Sequence, residues 1–353
     1  MVETERQAII QVGRNCWRRE QACRLAVIID GENYYRAVRE AILAARSTVF
    51  IVGWDIHSQL QLVRDSAGDG KPEQLGALID HVARERGVHV YVLSWDFAMI
   101  YWLERESLPL YRLDWKTHER VHFHMDDSHP LGASQHQKIV VVDDTVAFCG
   151  GLDLSKWRWD TREHRPDDPR RRDPDGEAYQ PFHDMQMVVE GASAAALAEI
   201  CRERWQRATG DAPGRSATDS ESKAWPPSVE PLLKDVPVAI ARTQPQFDDV
   251  DAVREAERLY LDAVHAAQRW IYIENQYLTA QTVGEALADR LKEDDGPEVV
   301  IVLPRETGGW LEQNTMDVLR YRLVKSLQEA DRLDRLRIFY QRLSSSADKC
   351  QMV

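Results

Sequence analysis

The chain contains the same succession of helices and strands twice, and this repetition restricts the folds that are open to it. In the first copy, an amphipathic helical pattern near 34–45 leads through a basic turn into an apolar strand at 49–52. In the second copy, a similar helix near 251–266 leads into an apolar strand at 270–273. Each copy continues with a second helix and two further strands, at 73–86, 88–93 and 120–124 and at 283–292, 298–303 and 335–340. Strands that alternate with helices in this way predict an α/β fold with a largely parallel or mixed sheet.

A stretch rich in Gly, Ala, Pro, Ser and Asp separates the two copies and is typical of a linker. The chain has 353 residues, which is enough for one large or two ordinary domains. We therefore expect a first domain at 1–208, a linker at 209–230 and a second domain at 231–353.

The most chemically informative segment is His136-Gln137-Lys138, which stands in front of the aliphatic run 139–142. Residues i and i+2 of a strand share one face, so we predict that His136 and Lys138 point the same way. An imidazole can act as a nucleophile or base near neutral pH, and an ammonium can hold a phosphate oxygen. The pair suits attack on a phosphodiester without a metal ion. The alternative is a structural role, with a capping histidine and a lysine whose amine reaches solvent.

The residues after this segment predict a β-hairpin. Asp143-Asp144-Thr145 has the composition of a tight turn, after which 146–149 returns antiparallel to 139–142. The hairpin then brings Gly150-Gly151-Leu152-Asp153 beside His136 and Lys138.

This arrangement resembles the HKD signature of the phospholipase D superfamily: His-x-Lys, four residues, Asp, and a Gly-rich segment seven residues after the Asp. In most members of the family, the Gly-rich segment that closes the motif is Gly-Ser-x-Asn. The variant Gly150-Gly151-x-Asp153 resembles the branch of the family that cleaves phospholipids, which includes phospholipases D and cardiolipin-synthase-like proteins. The resemblance extends from about residue 15 to residue 340. It implies a phospholipase D-like fold of two pseudo-repeats, each a mixed β-sheet flanked by helices.

The resemblance also implies a role for each residue of the motif. His136 would attack phosphorus and form a phosphohistidine that water or an alcohol resolves. Lys138 would bind the non-bridging phosphate oxygens, and Asp143 would hold the hairpin turn. Asp184, which opens a strand, resembles the acid that fixes the tautomer of the nucleophilic histidine; capping of that strand is the alternative.

Further polar groups are predicted to bind substrate, because the carboxyl ends of strands in α/β sheets commonly line a ligand crevice. For the polar residues at 54–55 and 274–276, the alternative is that they only cap the ends of their strands. The predicted substrate-binding residues are Trp54, Asp55, Gly150, Gly151, Asp153, Glu274, Asn275 and Gln276.

The sequence allows more than one role for each of two clusters of charged or titratable residues. The loop 156–175 carries six arginines and follows the motif directly, so it is either a solvated loop or a headgroup-binding one. His122, His124 and His129 lie near Asp126 and Asp127, which could suggest a metal site. The motif accounts for phosphodiester chemistry without a metal, and the sequence therefore predicts no metal and no cofactor.

Composition narrows the partners and the compartment. The net charge of −13 argues against nucleic acid, whose binders usually show a basic footprint. Five scattered cysteines fit neither a disulfide framework nor a zinc set, which favours a reducing cytosol. No apolar run approaches 18 residues, so a phospholipid substrate would be met at the membrane surface. We expect a cytoplasmic or peripheral membrane protein, and the oligomeric state is not predicted.

One departure from the family bears on activity. Active sites of the family use two His-x-Lys motifs, the second histidine acting as general acid, and this chain has one. We interpret the second repeat as truncated and expect little turnover, because general acid catalysis contributes roughly 10²–10⁴-fold. The sequence thus predicts a phospholipid phosphodiesterase or phosphatidyltransferase, weak or inactive in this form. The alternatives are a non-catalytic remnant that binds phospholipid headgroups and, less favoured, a nuclease-type phosphodiesterase.

Overall fold

The computed structural model describes residues 8–96, 118–130, 132–216, 223–305 and 310–343, with the backbone alone at 310–315. The chain divides into two compact units. One is Glu20–Val238, and the other joins the residues up to Arg19 with those from Ala239 onwards. The predicted domain limits at 208 and 231 stay predictions.

Thirteen strands and six helices lie in the described residues. The strands are β1 (Arg18–Ile29), β2 (Thr48–Gly53), β3 (His89–Trp95), β4 (Val121–Asp126), β5 (Ile139–Val142), β6 (Val146–Gly150), β7 (Met185–Gly191), β8 (Leu233–Ile240), β9 (Thr243–Gln244), β10 (Val253–Arg254), β11 (Trp270–Glu274), β12 (Glu298–Val302) and β13 (Leu336–Phe339). The helices are α1 (Gly31–Ala44), α2 (Leu75–Arg86), α3 (Ala192–Thr209), α4 (Glu255–Ala266), α5 (Gln281–Lys292) and α6 (Trp310–Ala330). No helix in this part of the chain is long and apolar enough to cross a membrane.

An eight-stranded mixed sheet organises the first unit, in the order β4-β3-β2-β5-β6-β7-β1-β8. Strands β2, β3 and β4 are parallel, whereas β5, β6, β7 and β1 join the sheet through antiparallel pairs. Every residue of β2 and β5 is buried, as expected for aliphatic strands that are covered on both faces. The predicted α/β fold is therefore confirmed.

The repetition seen in the sequence recurs in the structure. In the first unit, α1 precedes β2, and α2 connects β2 to β3 before β4 extends the parallel set. In the second unit, α4 precedes β11, and α5 connects β11 to β12 before β13 extends a parallel three-stranded sheet. The two copies thus share one order of helices and parallel strands.

Each unit has its own hydrophobic core. In the first, α1 contributes Tyr34, Tyr35 and Val38, which pack with Phe148 of β6 and with Trp159. These helical residues follow the spacing of three to four that places apolar side chains on one face. In the second, a core of aliphatic side chains is formed by Leu287, Leu291, Val299, Ile301 and Leu336.

The loop between β6 and β7 is an ordered part of the first unit. Arg171 is 1% exposed and donates a hydrogen bond of 2.9 Å to the fully buried Asp160. Its guanidinium also donates to the backbone carbonyls of Arg165, Pro166 and Tyr179. Arg171 is therefore neither solvated nor available to a ligand, and both interpretations of the arginine loop are wrong for this residue.

Candidate active site

The segment that carries the predicted nucleophile precedes the strand and does not belong to it. Strand β5 begins at Ile139, so His136 and Lys138 lie in the connection that leads into it. His136 is exposed, whereas Lys138 is 6% exposed. Both residues therefore precede β5, and the prediction that their side chains point the same way stays a prediction.

The buried partner of Lys138 is Asp153 of the Gly-Gly-x-Asp segment. The Lys138 Nζ lies 3.1 Å from Asp153 Oδ2 and donates a second hydrogen bond of 3.2 Å to the His136 carbonyl oxygen. The other carboxylate oxygen of Asp153 accepts hydrogen bonds from the backbone N–H groups of Trp54, at 2.8 Å, and Asp55, at 3.4 Å. Asp153 thus ties the ammonium to the carboxyl end of β2, where the sequence placed Trp54 and Asp55.

Burial governs the ionisation of this pair. Burial lowers the pKa of Lys138, and Asp153 opposes that change. Burial raises the pKa of Asp153, and Lys138 opposes that change in turn. Each charge therefore depends on the other, since neither would be stable alone at this depth.

His136 has the properties of a neutral nucleophile. Desolvation, followed by the positive charges of Lys138 and Arg158, lowers the pKa of His136 to about 4. Water screens part of this effect at an exposed residue, but the direction keeps the imidazole neutral at pH 7 with a free lone pair. The ring lies edge-on to Trp54, with centroids 6.3 Å apart. No described residue is hydrogen-bonded to this ring, so the role of Asp184 as its orienting acid stays a prediction.

The glycine pair accommodates the start of β7. A Cβ at Gly151 would lie 2.2 Å from both carboxylate oxygens of Asp184, and one at Gly150 would lie 2.1 Å from Gln186 Oε1. The Gly151 N–H donates to the Met185 carbonyl oxygen at 3.1 Å. The absence of side chains at both positions is therefore required by packing, and it brings Asp184 beside the Gly-Gly-x-Asp segment.

Arg158 adds a second cation that the sequence identified only as one of six arginines in a loop. Burial is the largest influence on the pKa of Asp153 and of Asp184, and the Arg158 charge lowers both. Its guanidinium stacks 4.9 Å from the centroid of Phe182. No sequence pattern distinguished Arg158 from its neighbours, because its position depends on a contact with a residue 24 positions away.

Asp143 lies at the far end of the hairpin and binds backbone groups. Its carboxylate accepts hydrogen bonds from the N–H groups of Arg46, at 2.8 Å, Ser47, at 2.7 Å, and Thr48, at 3.0 Å. These residues form the turn between α1 and β2. The contacts support a structural role for Asp143, directed at this turn and not only at its own hairpin.

Replacing Asp143 with alanine is expected to lower the free energy of unfolding by about 2–4 kcal/mol, because three N–H groups lose a charged acceptor. Urea denaturation at pH 7, followed by circular dichroism, measures the change. Asp144→Ala is the matched control, since both residues have positive φ in the same turn, 52° and 59°. Asp144 pairs with the partly buried Arg202 and accepts one backbone N–H, from Ser216 at 2.9 Å, so we expect a smaller loss of about 1–2 kcal/mol. Equal losses would contradict the role of Asp143.

The predicted substrate-binding residues of the second repeat lie at the carboxyl end of β11. The Asn275 side-chain oxygen accepts hydrogen bonds from the N–H groups of Tyr277, at 2.9 Å, and Leu278, at 2.8 Å. Glu274 accepts hydrogen bonds of 3.3 Å from Tyr272 and Gln341. Asn275 thus caps the turn that follows β11, which was the alternative to a substrate-binding role. The binding of substrate by Glu274, Asn275 and Gln276 stays a prediction.

The residues that the sequence suggested as a metal site form contacts with other side chains. Asp126 forms a buried ion pair of 2.5 Å with Arg204 of α3. The His122 ring stacks on His89 with an interplanar angle of 2°, and His129 accepts a hydrogen bond of 2.7 Å from the Trp95 indole.

Known proteins resemble this chain in sequence and in fold. Residues 41–107 match a family model described as phospholipase D. Phospholipase D alpha 2 of Oryza sativa subsp. japonica is 26% identical over 368 aligned positions, covering 79% of this chain and 43% of that protein. Phospholipase D1 of Saccharomyces cerevisiae is 24% identical over 374 positions, covering 85% of this chain and 21% of that protein. The chain therefore spans less than half the length of these relatives.

A solved structure extends the likeness to the fold. The phosphatidylserine synthase of Haemophilus influenzae Rd KW20 superposes with a TM-score of 0.54 and 12% identity, covering 95% of this chain and 76% of that one. The aligned relatives and the matching family model carry the name of the family that the sequence predicted. The HKD signature around His136 lies outside the matched residues 41–107 and stays a prediction. The predicted resemblance of this chain to the phospholipase D superfamily is therefore confirmed.

Proposed function

We propose that this protein cleaves or exchanges the phosphodiester of a glycerophospholipid through a phosphohistidine at His136. The observation that carries the proposal is an exposed, neutral imidazole next to a buried ammonium whose position Asp153 fixes. An uncharged imidazole can attack phosphorus, and a cation beside it stabilises the charge that develops on the phosphate oxygens.

The proposed reaction has two displacements. In the first, a His136 ring nitrogen forms a bond to phosphorus, and the bond from phosphorus to the headgroup oxygen breaks. The electron pair leaves with that oxygen, which must take up a proton. In the second, water or an alcohol attacks phosphorus, loses its proton, and releases the imidazole. Water gives phosphatidic acid, and an alcohol gives a new phospholipid.

Protonation of the leaving oxygen limits the expected rate. General acid catalysis is worth roughly 10²–10⁴-fold, and these 353 residues contain one His-x-Lys motif. We propose that the first displacement still occurs in this chain, but slowly, because the headgroup oxygen leaves without a general acid. A chain that binds headgroups without forming a covalent bond is the second candidate.

Phospholipid is favoured over nucleic acid for two reasons. Relatives that align with most of this chain carry the name phospholipase D, and the structural neighbour is a phosphatidylserine synthase. The net charge of −13 disfavours a polyanionic partner. We also propose that the protein meets its substrate from the cytoplasm at the membrane surface.

Intact-protein mass spectrometry after brief incubation with a short-chain phosphatidylcholine tests the proposal. The quench must preserve phosphohistidine, and a dinucleotide serves as the nuclease-type probe. A phosphatidyl adduct that maps to His136, without reaction of the dinucleotide, is the expected result. Lipid binding without an adduct would favour the binding remnant, and cleavage of the dinucleotide would favour a nuclease.

A further inference from the structure

Three side chains converge beside the proposed active site without a role in it. Asp30 lies between β1 and α1, and His164 and His183 lie in the loop between β6 and β7. The His183 Nδ1 is 2.7 Å from Asp30 Oδ1, and the His164 Nε2 is 3.4 Å from Asp30 Oδ2. All three ligand atoms lie within 4.8 Å of one another. We propose that Asp30, His164 and His183 bind a divalent transition-metal ion of the zinc type.

The Asp30 carboxylate is the first argument for an ion. Its side chain is 1% exposed, and Oδ2 makes no hydrogen bond with any described residue. Asp30 also occupies the N-cap position of α1, yet its side chain makes no capping hydrogen bond. A buried carboxylate oxygen without a hydrogen bond is costly, whereas a cation between it and the two imidazoles would remove the cost.

The second argument comes from the surroundings of the His164 ring. Its Nδ1 lies 3.0 Å from Oδ2 of Asp160, a fully buried carboxylate. The opposite ring nitrogen, Nε2, faces Asp30 Oδ2 at 3.4 Å. Asp160 thus holds one nitrogen of the ring and leaves the other directed at the carboxylate oxygen that has no hydrogen bond.

The Asp160 contact also matches the surroundings of metal-bound histidines. Such histidines almost always donate their second ring N–H to a carboxylate, carbonyl or water, which fixes the tautomer. Asp160 is itself held by Arg171, at 2.9 Å, and by the backbone N–H groups of Thr161, at 2.8 Å, and Phe182, at 3.0 Å. The carboxylate that orients His164 is therefore rigidly positioned.

The donor set selects the class of ion. Two imidazole nitrogens and a carboxylate oxygen suit Zn²⁺ and related ions, whereas Mg²⁺ and Ca²⁺ prefer oxygen ligands. Zinc binds these atoms at about 2.0–2.2 Å, so its tetrahedral ligands lie about 3.4 Å apart. The 3.4 Å between His164 and Asp30 already fits that geometry. The 2.7 Å between His183 and Asp30 is a hydrogen-bond distance and would lengthen by about 0.7 Å when the ion replaces the proton. His164 and His183 keep side-chain exposures of 12% and 22%, which leave access for a water as fourth ligand.

An ion at this position would fix the segment that carries Asp184. The Asp30 N–H donates to the Asp184 carbonyl oxygen at 2.9 Å, and His183 immediately precedes Asp184. The ion would join the start of α1, the arginine-rich loop and the start of β7. This role is structural, and it does not depend on the proposed phosphodiester chemistry.

Calorimetric titration of chelator-treated full-length protein with Zn²⁺ tests the site. We expect uptake of about one equivalent, a rise in Tm, and no comparable response to Mg²⁺ or Ca²⁺. The substitutions Asp30→Asn and His164→Gln should each weaken zinc binding at least tenfold. The double variant His89→Asn/His122→Asn removes the stacked histidine pair and is the matched control; it should bind zinc as the unmodified protein does.

Two results would overturn the proposal. One is a lack of stoichiometric zinc uptake by the unmodified protein. The other is loss of zinc binding in the control and not in the cluster variants. If the cluster variants fail to fold, the visible spectrum of the unmodified protein loaded with Co²⁺ tests whether the site binds a metal ion. Visible bands of four-coordinate cobalt with imidazole ligands would support the site, and a spectrum of hydrated Co²⁺ would refute it.

Discussion

Replacing His136 with glutamine is expected to abolish the covalent phosphatidyl adduct, because the substitution removes an exposed, unprotonated ring nitrogen next to Lys138. Glutamine retains a polar side chain but offers no nucleophilic lone pair at neutral pH. Intact-mass measurement after a brief lipid incubation gives the result directly. His265→Gln is the control, since His265 is an exposed residue on α4, and it should keep the full adduct yield.

The pH dependence of adduct formation provides an independent signature of His136. Desolvation, aided by Lys138 and Arg158, lowers the pKa of this imidazole to about 4, and the neutral form is the nucleophile. Because water screens part of this effect at the exposed ring, the midpoint of the rate decrease should lie below pH 6.5 and no lower than about pH 4. A histidine with an ordinary pKa of about 6.5 would lose rate below that value. A decline centred near pH 6.5, or an adduct on another residue of His136→Gln, would contradict the assignment.

Local patterns in the sequence predicted most of the fold. The helical spacing in α1 and α4, and the short aliphatic runs of β2, β5 and β12, depend on neighbours along the chain. The hairpin of β5 and β6 follows from a turn of two aspartates and a threonine between apolar strands. Because the same local pattern occurs twice, the two parallel triplets could be expected before any tertiary contact was known.

The contacts that define the candidate site could not be predicted in this way, because they join residues far apart in the chain. Asp143 binds backbone groups at 46–48, and nothing near Asp143 indicates those partners. The sequence predicted a shared face for His136 and Lys138 from strand geometry alone. It did not indicate the ion pair with Asp153, in which Lys138 is buried while His136 stays exposed. Asp30 and His183, separated by 153 positions, meet only because β1 pairs with β7.

Removing the ammonium of Lys138 is expected to have two separable effects. The Lys138→Met variant should form the adduct roughly a hundredfold more slowly or worse, because a cation that stabilises transition-state charge is lost. It should also lose about 3–5 kcal/mol of unfolding free energy, because Asp153 becomes an unpaired buried charge. Single-turnover mass spectrometry measures the first effect, and urea denaturation measures the second.

The stability loss in Lys138→Met should depend on pH in a defined direction. Burial raises the pKa of Asp153, and removal of Lys138 takes away the charge that opposes this rise. The folded protein would then bind a proton at Asp153 more readily than the unfolded chain does. The deficit should therefore be largest at pH 7 and shrink as the pH falls through the raised pKa.

The double variant Lys138→Met/Asp153→Asn separates the catalytic role of the pair from its structural role. Asparagine carries no charge, and its side-chain oxygen can still accept from the Trp54 and Asp55 N–H groups. The double variant should therefore regain much of the stability that Lys138→Met loses, with little dependence on pH, while adduct formation stays slow. Recovery of the rate together with the stability would mean that Lys138 acts only by supporting the fold. Recovery of stability alone would assign the ammonium to the transition state.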